Sequence, residues 1–69
     1  MEGFGEKLKM LRKQNNISLR KLSEDIGYSK SIIGYWESNK IQPTIVALKK
    51  ICDYFNVSAD YMLGRSERK

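Results

Sequence analysis

Apolar residues recur along this chain at helical rather than alternating spacing, in short blocks separated by turn-forming residues. Phe4, Leu8 and Leu11 fall at i, i+4 and i+7 among Glu6, Lys7, Lys9, Arg12 and Lys13, which predicts a first helix with one apolar stripe. Asn15 and Asn16 should end it, because asparagine side chains compete for the backbone and favour turns, and Ile17 plugs the corner. Ser18 can cap a second helix that turns Leu19, Leu22, Ser23 and Ile26 inward and Arg20, Lys21, Glu24 and Asp25 outward. Gly27 closes that helix, since glycine takes the left-handed conformation at little cost. Ser29 can cap a third, over about residues 29–38. At 100° per residue it sends Ile32, Ile33, Trp36 and Glu37 to one side and Lys30, Ser31, Gly34, Tyr35 and Ser38 to the other.

A polar loop from Ser38 to Pro43 follows, with Asn39 suited to a left-handed turn position. Thr44 caps a fourth helix whose expected apolar face is Ile45, Leu48, Ile51, Cys52 and Phe55. Asn56 breaks it, Ser58 caps a last short helix, and Gly64 closes that one. The pattern predicts an all-α fold, a compact five-helix bundle over residues 1–64, with residues 65–69 a flexible basic tail. Its pivot is the junction from Gly27 to Ser29. Two helical patterns meet there with no room for a loop, which is how a helix-turn-helix is written in sequence.

Sixty-nine residues suit one domain with a single small core and are too few for a two-lobed enzyme with a deep cleft. The single cysteine, Cys52, has no partner for an internal disulfide, and without histidine no zinc set can be drawn, so no metal or cofactor is expected. No apolar run approaches the roughly 18 residues of a membrane span, and the opening MEGFGEKLKM lacks the apolar centre of a secretory signal. A soluble, cytoplasmic chain without a membrane partner is expected. Catalysis is not: Cys52 lies on an apolar helical face and the carboxylates fall on outer faces with no common pocket. Thirteen basic against eight acidic side chains give +5 and a pI near 9.5, high enough to look for a nucleic-acid partner.

The stretches FGEKLKMLRKQNNIS, LSEDIGYSKSIIGYWESNK and YFNVSADYMLGRS, with Arg12, the Trp36 and Glu37 pair, Pro43, Asp60 and Tyr61 at matching spacings, resemble the Cro and phage-repressor type helix-turn-helix domain, the XRE family. The resemblance implies a lambda-repressor-like bundle that binds a double-stranded DNA operator, usually as a homodimer, with helix 3 in the major groove. By position, Lys30, Ser31, Gly34 and Tyr35 correspond to its base-contacting places. The chemistry agrees: a lysine ammonium can donate to guanine O6 or N7, serine can pair with several bases, and a tyrosine ring can lie on a thymine methyl. The other reading of Tyr35 is a ring packed on the adjacent helix.

Phosphate contacts are expected from backbone amides where helices 2 and 3 begin, at Leu19, Arg20 and Ser29, and from Ser38, Asn39 and Lys40 in the following loop. A plain solvated role competes for each basic side chain. The resemblance also implies a structural ion pair between Arg12 and Glu37, against which stands the reading of both as free surface charges. Two departures matter. Leu19 replaces a polar residue that would donate to phosphate, and Gly34 replaces a bulkier polar one, so few side chains remain to discriminate bases. Tyr61, Met62 and Leu63 form either a dimerising patch or a satellite core under helix 1. The leading function is a sequence-specific DNA-binding transcriptional regulator, with repression the expected mode. The alternative is a protein-interaction module on the same fold, such as an antitoxin or partner-binding adaptor, which Leu19 and Gly34 favour.

Overall fold

Four hydroxyl side chains start helices in this chain, each accepting a hydrogen bond from the backbone amide three residues on. Ser18 accepts from Lys21 at 3.0 Å, Ser29 from Ile32 at 3.2 Å, Thr44 from Ala47 at 3.2 Å and Ser58 from Tyr61 at 3.0 Å. The computed structural model describes residues 3–69. Met1 and Glu2, which open the expected 1–64 domain, lie outside the described residues. The helices are α1 (Phe4–Gln14), α2 (Leu19–Ile26), α3 (Lys30–Glu37), α4 (Ile45–Phe55) and α5 (Ala59–Met62), with no strand among the described residues. The fold is therefore all-α. No helix among the described residues is long and apolar enough to cross a membrane.

The turns fall at residues able to adopt positive φ. Gly27 closes α2 at 81°, and Asn16, Asn39 and Asn56 hold φ of 56°, 62° and 56° after α1, α3 and α4. Asparagine tolerates this region because its short side chain can bond locally. The α2–α3 turn is tied by the Ser23 hydroxyl donating to the Tyr28 carbonyl, while the Tyr28 ring meets Trp36 edge-on with centroids 5.1 Å apart. Phe4, Leu8, Leu22, Ile33, Ile51 and Met62 are fully buried between the helices, joined by Leu11, Ile26, Trp36, Ala47 and Cys52.

The orientation of α3 is set from α1. The Arg12 guanidinium grips the Glu37 carboxylate with two bonds, Nε to Oε2 at 2.7 Å and Nη2 to Oε1 at 3.1 Å, and its Nη1 donates to the Ile17 carbonyl at 3.0 Å. Both side chains are nearly enclosed, at 11% and 8% exposure. At the other end of α1, a Cβ on Gly5 would stand 2.3 Å from the Glu37 carbonyl oxygen and 2.6 Å from that of Trp36, so only glycine lets the helices meet there. The Gly5 amide donates to the Asn39 side-chain oxygen at 3.0 Å, and the Asn39 amide group donates to Glu6 at 3.0 Å, holding that carboxyl below its usual range.

One expectation is corrected. Ile45 is 86% exposed, and Ala47 takes its place in the buried face of α4. Ile45 lines one shallow concavity with Leu48, Cys52, Val57 and Ala59, but no described residue covers its side chain there. Of the two readings of Tyr61, Met62 and Leu63, burial supports the core beneath α1: Tyr61 and Met62 are 7% and 0% exposed, and Leu63 is half-buried. At the C-terminus the Ser58 amide donates to the Lys69 carbonyl at 2.7 Å, and Lys69 Nζ lies 5.8 Å from the Tyr61 ring centre.

Replacing Arg12 by Met leaves the Glu37 carboxylate enclosed without a partner and is expected to cost about 3–5 kcal/mol. In a chain this size that is a large share of the folding free energy, visible as a drop in thermal midpoint; a midpoint equal to wild type would show the pair to be idle. A second latch, between α2 and α4, is pH-sensitive. The Tyr54 hydroxyl donates to Asp25, and with Lys21 it holds the Asp25 carboxyl below its usual range. Asp25 thus ionises more readily folded than unfolded. Its contribution is complete above the unfolded carboxylate range near pH 4 and is lost as pH falls through the lower folded value. The midpoint gap between wild type and Tyr54→Phe should shrink on acidification, and a gap constant with pH would contradict the assignment.

Candidate nucleic-acid interface

Ser29 faces outward and spends its hydroxyl on the cap, so the first amides of α3 emerge beside it at the positive end of the helix dipole. The same holds for Leu19 and Arg20 behind the Ser18 cap of α2. Two helix starts therefore offer donors to an anion, and both α2 and α3 have eight residues. The Leu19 side chain packs partly against the core, which leaves its backbone amide as the group that can face a phosphate. Arg20 is exposed and loosely paired with Glu24 at 3.3 Å, a contact that a phosphate can outcompete.

The outer face of α3 carries Lys30, Ser31 and Tyr35 exposed, with Gly34 half-exposed at its centre and Ser38 just beyond. Tyr35 is 45% exposed, and the adjacent aromatic pair is made by Tyr28 and Trp36 without it. Nothing lies within 4 Å of where a Gly34 Cβ would sit, and its φ is not positive. The single carboxylate of α3, Glu37, turns inward to Arg12, so it adds no exposed negative charge to the face. A polyanion would meet Lys30, Lys40 and Arg20 over a flat, polar surface.

Two of the anticipated phosphate ligands are positioned by internal bonds. Ser38 Oγ donates to the Tyr35 carbonyl at 3.3 Å, and the Asn39 side chain bridges Gly5 and Glu6. Asn39 thereby braces α1 against α3, a role that sequence reasoning missed; its proximity to α1 becomes visible only once the chain folds. Lys40 stays exposed, with Nζ 5.9 Å from the Tyr35 ring centre. Among the described residues no His, Cys, Asp and Glu side chains group as a metal site.

The chain belongs to the helix-turn-helix family, whose model matches residues 8–62. It is similar to the transcriptional activator BcrR of Enterococcus faecalis, 38% identical over 64 residues that make up 93% of this chain and 31% of BcrR. It is also similar to the transcriptional regulator AnsR of Bacillus subtilis, 34% identical over 93% of this chain and 55% of AnsR. This chain thus spans about half or less of the curated relatives it matches. Among solved structures it resembles SinR, described as the master regulator for biofilm formation, in complex with DNA. The two share 33% identity and a TM-score of 0.79 over 87% of this chain and 97% of that one.

Removing the Ser29 hydroxyl by Ser29→Ala is expected to cost about 1 kcal/mol through the lost cap and to weaken duplex binding beyond what the stability loss explains. Denaturant melts and polarisation titrations at one temperature separate the two effects.

Proposed function

We propose that this chain is a sequence-specific DNA-binding transcriptional regulator that reads the major groove with α3, in the cytoplasm, as a homodimer on a two-fold site, and that represses by occupying a promoter. The observation that carries the reading is the outward side of α3, where Lys30, Ser31 and Tyr35 are exposed beyond the capped start of the helix while Glu37, its one carboxylate, is turned inward to Arg12. A glycine inside a helix costs up to about 1 kcal/mol relative to alanine. At Gly34 neither a neighbouring atom nor an unusual backbone angle asks for it. The open space at Gly34 admits a base edge or a protein partner alike, whereas Lys30, Ser31 and Tyr35 around it supply donors and a ring suited to base edges. The resemblance to SinR in complex with DNA supports the same assignment. No catalytic step is assigned to the chain.

Lys30, Ser31 and Tyr35 would contact bases, while the Leu19, Arg20 and Ser29 amides, Ser38 and Lys40 would contact phosphates. With Tyr61 and Met62 in the core, the homodimer would instead draw on the exposed apolar side chains Ile41, Ile45 and Val46. The same three residues favour a second reading, a module whose principal partner is another protein, and Leu19 favours it too by withholding a side-chain donor from phosphate.

Gly34→Ala should leave the thermal midpoint unchanged or raised, and lower affinity for duplexes enriched from a random pool by about tenfold, within the span of one base contact. Wild-type affinity should fall with salt at a logarithmic slope of about −0.9 per phosphate neutralised. Failure of wild type to bind any duplex, or salt-independent binding, would favour the protein-partner reading, while a Gly34→Ala variant that binds duplex as tightly as wild type would remove Gly34 from the contact surface.

A further inference from the structure

We infer that Tyr35 is a positioning residue for Lys40, so that the last base-reading side chain of α3 and a phosphate-binding lysine act as one unit. The inference rests on α3 reading duplex DNA and adds a coupling inside that site.

The loop that carries Lys40 is wound around residue 35 at both backbone and side chain. The Tyr35 carbonyl accepts from the Lys40 amide at 2.9 Å, from the Ile41 amide at 3.4 Å and from Ser38 Oγ at 3.3 Å. Asn39, between them, takes φ of 62° and is pinned to α1 through Gly5 and Glu6, so the path from Tyr35 to Lys40 is anchored partway along. Lys40 Nζ then comes to 5.9 Å from the Tyr35 ring centre, within reach of the negative face of the ring. Unrestrained, a lysine side chain samples many rotamers and loses that freedom on contacting a phosphate. Held over Tyr35, it has lost part of that freedom before DNA arrives, which is how preorganisation raises affinity without a new contact. Tyr35 is still 45% exposed, so the residue that steadies the ammonium remains open to a base edge.

The consequence is a phosphate contact whose strength depends on a base-reading residue. It is measured with the duplex that wild type enriches most from a random pool, by polarisation across a salt series, on Tyr35→Ala, Tyr35→Phe, Tyr35→Leu, Lys40→Ala and the Tyr35→Ala, Lys40→Ala double variant. Thermal melts of each variant should stay close to wild type, since both side chains are exposed. Lys40→Ala should flatten the salt slope by about 0.9. Tyr35→Ala and Tyr35→Leu should flatten it in part, while Tyr35→Phe, which keeps the ring, should hold the wild-type slope. The penalty for Lys40→Ala should be smaller in the Tyr35→Ala background by about twofold to fivefold, the size of an exposed cation–π contact. Additive penalties together with a wild-type slope in Tyr35→Ala would overturn the coupling while leaving DNA binding intact. Failure of the wild-type chain to enrich any duplex would overturn both the coupling and the DNA-binding reading.

Discussion

Everything that α3 could present depends on how its C-terminal end is held against α1. Glu37 would by itself be a poor last residue for a helix, a carboxylate at the negative end of the dipole. The doubly bonded guanidinium of Arg12 turns that liability into a joint, and the near-complete enclosure of both groups means that neither can leave without stranding the other. Seven residues earlier on α1, Gly5 lets the backbones of the two helices touch, and Asn39 ties the loop beyond α3 back to the start of α1. One helix thus grips the end of another at both of its own ends, which fixes direction and rotation together.

Much of this architecture is legible along the chain, and the legible part is local chemistry. The caps Ser18, Ser29, Thr44 and Ser58, and the left-handed positions at Gly27, Asn39 and Asn56, act within three or four residues, so their neighbours in sequence suffice to reveal them. What escapes is whatever needs a second element. Periodicity gives the direction in which Ile45 points but not whether anything stands there to cover it. A four-residue helix has too few positions to define a face, so the burial of Tyr61 and Met62 beneath α1 follows only from where α5 lands. Gly5 reads as one small residue among others until the carbonyls of Trp36 and Glu37 are placed against it. Asn39 reads as a turn former and is one, yet its side chain does a second job across 34 residues of sequence. Arg12 and Glu37 were paired through family resemblance; no spacing rule links residues 25 apart.

The outward face of α3 is small. Three exposed side chains and a glycine leave little for hydrogen-bonded base discrimination, so the fit of a flat helix surface to groove width and the deformability of the duplex would carry a larger share of any sequence preference. The electrostatic design matches. Lys30, Lys40 and Arg20 are exposed, and the acidic group on α3 is neutralised internally. On the proposed reading, affinity from such a surface would come chiefly from counterion release and helix starts, with selectivity a modest increment on top.

Stability and reading are assigned to different residues, and this separation has a physical consequence. The side chains that hold α3 in place, Ile33, Trp36 and Glu37, face inward, while Lys30, Ser31 and Tyr35 face outward and bear little on the core. A domain of this size has only about 3–10 kcal/mol of folding free energy to lose, so outward positions are the ones where side chains can change without exhausting that margin. Gly34 sits at the boundary: its helical cost falls on stability, and any return for that cost must come from outside the chain. The same scaffold can therefore carry different reading faces, with the joint between Arg12 and Glu37 setting the angle at which each is shown.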